Sequence, residues 1–171
     1  QDGRLSDADL SGISLAYQDL SGIVLERVRL HGADLSGAKL GASTLIGVDL
    51  SQTILEEADF TDAQLTEVDL SQARCRNACF VRTDFYQCSF SAVDLTGADM
   101  TRASAGGSDF TGAVFSGTNL TKAFLVESGL EKQRFPGCIL HLTLFDKSRM
   151  AGADFTGADL SQTSFAGASL A

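Results

Sequence analysis

Every fifth residue from Leu5 to Leu170 is Leu, Phe, Met, Cys or Ala, and the register never slips. These positions hold twenty Leu, ten Phe, Met100, Met150, Cys75 and Ala105, while only Phe124, Leu142 and Leu144 among all Leu, Phe and Met fall elsewhere. A straight strand sends alternate residues to opposite faces, so an odd period would scatter these side chains over both. An α-helix turns about 100° per residue, so five residues give roughly 140° and no single apolar stripe. The backbone must therefore change direction once per repeat, with each short extended piece pointing its large apolar residue the same way.

The other four positions of the repeat agree. Two residues before each large apolar position stands Ala, Ser, Thr or Val in most repeats, which predicts a second, smaller inward residue. The residue just before it holds twelve of the sixteen Asp and reads as outward. The residue just after it is most often Ser or Thr, and the next one holds thirteen of the seventeen Gly. That glycine position predicts a turn requiring φ > 0 or tight geometry. A fixed short period of this kind marks a repeat architecture.

The unit is undiluted in Ala33-Asp34-Leu35-Ser36-Gly37, in Ala98-Asp99-Met100 and in Ala153-Asp154-Phe155-Thr156-Gly157-Ala158-Asp159-Leu160. It resembles the pentapeptide-repeat family, whose unit is Ala-(Asp/Asn)-Leu-(Ser/Thr)-Gly, and the resemblance covers essentially the whole chain. It implies an all-β fold, a right-handed quadrilateral parallel β-solenoid with four repeats, or twenty residues, per coil. At about 4.8 Å per coil, residues 1–171 would form one domain of roughly 8.5 coils and a rod about 40 Å long. Small Ala105 would then share a layer with Phe110 and Phe115, and Cys75 with Phe80, as volume conservation in a core requires.

A net charge of −9 argues against direct nucleic-acid binding through a basic surface. It leaves open a basic partner or mimicry of nucleic-acid charge. No apolar run is long enough to span a membrane. Cys75, Cys88 and Cys138 occupy inward positions and Cys79 an outward one, in four different columns of a twenty-residue coil, so no stacked pair invites a disulfide. Free, mostly buried thiols without a signal peptide predict a reducing compartment, the cytoplasm. The chain begins at Gln1 without Met, which fits a processed protein or a module of a longer one. Neither end carries a recognisable cap, so the expectation is end-to-end homodimerisation or capping segments beyond this stretch.

No catalytic, cofactor or metal site is expected. His31 and His141 lie about 26 Å apart along a rod of this pitch and cannot share a site. No Cys-x-x-Cys or paired-His spacing suggests a metal, and the glycines follow the turns rather than forming a phosphate-cradling loop.

The surface departs from the repeat in three places. Residues 41–73 carry Asp49, Glu56, Glu57, Asp59, Asp62, Glu67 and Asp69 without a Lys or Arg, an electrostatic surface for a basic partner. Arg82, Arg102 and Lys122 are twenty apart and should stack at one corner, offset by Asp84, by a bound anion or by an acidic partner. Phe124 and Leu144 are also twenty apart, with Val126, Ile139 and Leu142 nearby. This apolar cluster, rimmed by the cation ladder, is the expected partner site. A distortion near Pro136, or a self-dimer contact, that buries these side chains is the competing expectation.

These features predict a protein-interaction scaffold rather than an enzyme. The resemblance also admits the family's DNA mimics, which bind the type II topoisomerases DNA gyrase and topoisomerase IV and protect them from quinolones or toxins. A third class it admits is a repeat module of a bacterial secretion-associated protein.

Overall fold

The computed structural model describes residues 3–171 and contains no helix. The chain turns a corner every five residues, and the second residue of each corner has positive φ whether it is glycine, as Gly97 (69°), or not, as Leu142 (59°). The backbone thus imposes the left-handed conformation at every repeat, and glycine occurs there because it adopts it without steric cost. Backbone pairing is parallel at an offset of twenty residues, from Arg4↔Val24 through Arg149↔Ser169. A corner every five and an offset of twenty make four faces per coil.

The first face begins as a five-stranded parallel sheet of β1 (Arg4–Ser6), β2 (Val24–Glu26), β3 (Thr44–Ile46), β4 (Gln64–Thr66) and β5 (Asp84–Tyr86), in that order. Regular strand therefore covers only these five coils, and isolated bridges at the same offset continue the solenoid. The change comes at Gly106-Gly107, where the Ser108 N–H donates to the Ala105 carbonyl at 3.3 Å and closes the corner. We number the faces by their central residues: Arg4 to Ser164 on the first, Asp9 to Ser169 on the second, Ser14 to Asp154 on the third, Asp19 to Asp159 on the fourth.

Both inward positions of the repeat are buried from Leu25 to Met150, in one continuous core. Phenylalanines stack up the columns, with ring centroids of Phe90 and Phe110 4.6 Å apart and those of Phe115 and Phe135 5.0 Å apart. Ala105 is fully buried in the layer of Phe110 and Phe115, in keeping with volume compensation. In the last coil Leu160 and Leu170 are exposed, because no further coil covers them in this stretch.

The smaller inward residue has a second function. Thr83 donates to the Phe60 carbonyl at 2.7 Å, Thr118 to Leu95 at 2.8 Å and Thr143 to Leu120 at 2.7 Å, each across a coil boundary. Gln133 reaches the equivalent Phe110 carbonyl at 2.6 Å with a longer side chain. That extra length wedges the third face open. Leu95 N–H to Val114 O (2.8 Å) and Phe135 N–H to Asp154 O (2.9 Å) bracket the place where the ladder is interrupted. Between them, among the described residues, neither the N–H nor the carbonyl of Arg134 bonds the preceding coil. The corner at Gly112 is open too, with no bond among the described residues from its N–H to the Glu131 carbonyl. The ladder is intact on either side, with Phe110 N–H to Gly129 O at 3.1 Å and Gly117 N–H to Pro136 O at 2.9 Å. A groove of about 480 Å³ lined by Val114, Phe115, Lys132, Gln133, Arg134 and Pro136 marks the seam.

Candidate interaction surface

The first face gathers most of the apolar departures. Phe124 and Leu144 are bridge neighbours at its centre, where earlier coils carry Arg4, Val24, Thr44, Gln64, Asp84 and Ser104. Phe124 is 46% exposed and Leu144 half-buried. Val126 stands at the corner leading to the second face and Leu142 at the corner entering the first, both half-buried. The distortion beside Pro136 lies on the third face and leaves these side chains uncovered. Ile139, 44% exposed, is separated from the patch. It pairs with Asn119 and Asp159 on the fourth face, round the corner formed by His141 and Leu142.

The cation ladder occupies that same corner. Arg82 is held by Asp62 rather than Asp84: its Nε and one terminal nitrogen donate to the two carboxylate oxygens at 2.6 and 2.7 Å. The fork drives the Asp62 carboxyl below its ordinary range, mainly by hydrogen bonding and then by charge. Asp62 lies one coil before Arg82 in the same column, a neighbour that the twenty-residue arithmetic already contains. Arg102 and Lys122 have no ion-pair partner among the described residues.

The carboxylates of residues 41–73 do not share a face. Asp49 and Asp69 are on the second face and Asp59 on the fourth, while Glu56, Glu57, Asp62 and Glu67 stand at three corners, so the acid forms a girdle. Several serve the fold: Asp49 accepts the N–H of Ser51 at 2.9 Å and Asp59 that of Thr61 at 2.9 Å. These bonds brace the corner that follows each aspartate.

His31 and His141 each contact a serine one coil on, Ser51 at 2.9 Å and Ser161 at 2.8 Å. All four cysteines are free. Burial pushes the Cys88 and Cys138 thiols up to about 11. No three His, Cys, Asp or Glu among the described residues converge on a metal position. The seam at Gln133 had a signal in the sequence, since from Val28 onward glutamine occurs only there in a slot otherwise given to Ala, Ser, Thr, Val or Cys, although Gln18 holds the same slot in the first coil.

The family profile described as Pentapeptide repeats matches in eight copies, over residues 4–41, 34–72, 69–104, 88–131 and 130–162. Among solved structures, the chain is similar to HetL, a pentapeptide repeat protein involved in heterocyst differentiation regulation from the cyanobacterium Nostoc sp. strain PCC 7120. Identity is 26% over 98% of this chain and 86% of that one, with a TM-score of 0.58. A pentapeptide repeat protein of the Arabidopsis thaliana thylakoid lumen is 35% identical over 56% of this chain and 68% of its own, with a TM-score of 0.54. QnrB1, a plasmid-mediated fluoroquinolone resistance protein, shares the fold at 21% identity and a TM-score of 0.63, over 98% and 91% of the two chains. No curated protein matches the sequence.

Proposed function

The chain belongs to the pentapeptide-repeat family, and on that footing we propose that it is a non-catalytic scaffold that docks a protein partner on its first face. The observation that carries this reading is the contiguous apolar patch of Phe124, Leu144, Val126 and Leu142, whereas the other large apolar side chains at these positions of the first face, Val24, Ile46 and Tyr86, each stand between small or polar residues in their own column. Exposed apolar surface bordered by charge has the anatomy of an interface centre and rim. The test is the double substitution Phe124→Ser with Leu144→Ser. It weakens partner binding at least tenfold, about 1.4 kcal/mol, and leaves the thermal midpoint within a few degrees of wild type. Unchanged binding to an identified partner removes the site assignment, and a large drop in midpoint reassigns the residues to the core.

The acidic girdle supports a second reading, charge mimicry of nucleic acid toward a type II topoisomerase. Its favourable observation is that Glu57, Asp59, Glu67 and Asp69 have no cation partner among the described residues, in a chain of net charge −9. Distribution around all four sides counts against it, because a docked duplex mimic presents one continuous anionic side. Replacing Glu56, Glu57, Asp59 and Asp62 with Lys abolishes any protection of quinolone-poisoned gyrase under this reading. No wild-type protection in that assay disposes of it.

A further inference from the structure

Nine of the thirteen Lys and Arg residues are held in ion pairs. Of the other four, Lys39 lies between Asp19 and Asp59 in the fourth-face column, flanked by acid on both sides though not in an ion pair, and Lys132 lies at the seam on the third face. Arg102 and Lys122 remain. They are consecutive members of one corner column, and beside them run Ser104, Phe124 and Leu144 at the centre of the first face. In a chain with a large excess of carboxylates, the two adjacent cations left without acid are those that border the apolar patch. The same column shows that compensation was available, because Asp62 neutralises Arg82 one coil earlier.

The spacing identifies the shape of the partner. Cations and apolar anchors both repeat along the rod axis at about 4.8 Å per coil. An α-helix repeats each face about every 5.4 Å, and its residues three or four apart lie about 5–6 Å from one another. Over two coils the mismatch is about 1 Å, within the reach of flexible Arg and Lys stems. A strand repeats each face at about 6.6 Å and loses register by the second coil.

Resting on the reading of the first face as a docking surface, we propose that its occupant is an acidic amphipathic helix lying along the solenoid axis. Apolar side chains one turn apart sit on Phe124 and Leu144. Asp or Glu residues on the adjoining flank meet Arg102 and Lys122. The attraction steers approach and fixes direction and register, while the apolar contact supplies residence.

The probe is a capped eighteen-residue peptide with Leu at helical spacing on one stripe and Glu along one flank, beside a twin carrying Lys for Glu. Binding to the 171-residue chain is read by fluorescence anisotropy at low and high salt. The Glu peptide binds at least tenfold more tightly than its twin and weakens with salt. Arg102→Glu with Lys122→Glu lowers its affinity at least tenfold, whereas Arg82→Gln changes it less than twofold. Glutamate fits these corners, since Glu57 and Glu127 already occupy the same backbone conformation. Circular dichroism and the thermal midpoint verify the fold of each variant. The proposal is overturned if the Glu peptide does not bind below millimolar concentration, if the Lys twin binds as well, or if charge reversal has no effect. Loss of binding in the Phe124→Ser, Leu144→Ser variant with no response to charge reversal rejects the acidic helix and keeps the docking face. No response to either variant rejects both.

Discussion

Ser43 and Ser108 show what a single repeat position demands. Both hydroxyls are enclosed in the core without a hydrogen-bond partner, while Thr83, Thr118 and Thr143 at equivalent positions reach a carbonyl across the coil boundary. An unpaired buried hydroxyl costs about 1–3 kcal/mol, and a satisfied one contributes about 0.5–1.5. Ser43→Ala therefore raises stability by about 1 kcal/mol, and Thr143→Val lowers it by about as much. Urea midpoints at unchanged slope separate the two, and a destabilising Ser43→Ala would show that the hydroxyl has a partner in solution. The sequence made the size of these residues legible, since Ala, Ser, Thr and Val all fit a small inward slot. It did not reveal which hydroxyls are satisfied, because that depends on a carbonyl in another coil. Backbone conformation was legible further: glycine at one repeat position foretold positive φ there, and Arg102, Lys122 and Leu142 adopt it too.

At the scale of a face, the solenoid tolerates what its ladder can span, and Gln133 exceeds that. Threonine reaches the preceding coil's carbonyl through Cβ and Oγ1 alone, whereas the amide of Gln133 reaches it through a longer stem and parts the coils. The consequence is local: Ala113 is 8% exposed where most inward alanines are sealed, and Val114 is 46% exposed. Gln133→Thr lets the face close and restores the two ladder bonds of Arg134, worth about 0.5–1.5 kcal/mol each net. Hydrogen exchange is the direct measurement, since local opening sets amide protection. In the wild type the Phe115 and Arg134 amides exchange faster than those of Leu95 and Phe135, and the variant removes the difference. Equal protection in the wild type would mean that the seam is closed in solution. The pairing of coils was legible from the family's twenty-residue unit, as was the stacking of Phe124 on Leu144. The same arithmetic separates Ile139 from that patch, because its column lies on another face. The strand content was not legible: the period is uniform, yet regular strand ends with Tyr86, and in the next coil the corner geometry changes at Gly106-Gly107.

Over the whole rod, electrostatics combine two opposing effects of pH. A net charge of −9 at neutrality repels itself along the solenoid, and this repulsion fades toward the isoelectric point near 4.5. Many carboxyls are meanwhile held below their ordinary range by native contacts. Asp7 and Asp62 are lowered chiefly by hydrogen bonds from Arg27 and Arg82. Asp34 is lowered chiefly by the Ser36 hydroxyl and then by its N–H, and Asp154 likewise by Thr156. A carboxyl whose folded pKa is depressed binds its proton more readily in the unfolded chain. Its stabilisation is complete above the unfolded value of about 4 and disappears as pH falls through the folded value. Stability therefore holds or rises slightly from pH 7 to about 4.5, then falls steeply below about pH 4, as urea midpoints across that range will show. Because the turn-bracing aspartates recur along the whole solenoid, the acid loss is distributed: Asp34→Asn, which keeps the acceptor oxygen, leaves most of the pH slope in place. A midpoint that declines steadily from pH 7, or a slope abolished by that one substitution, would refute the distributed origin.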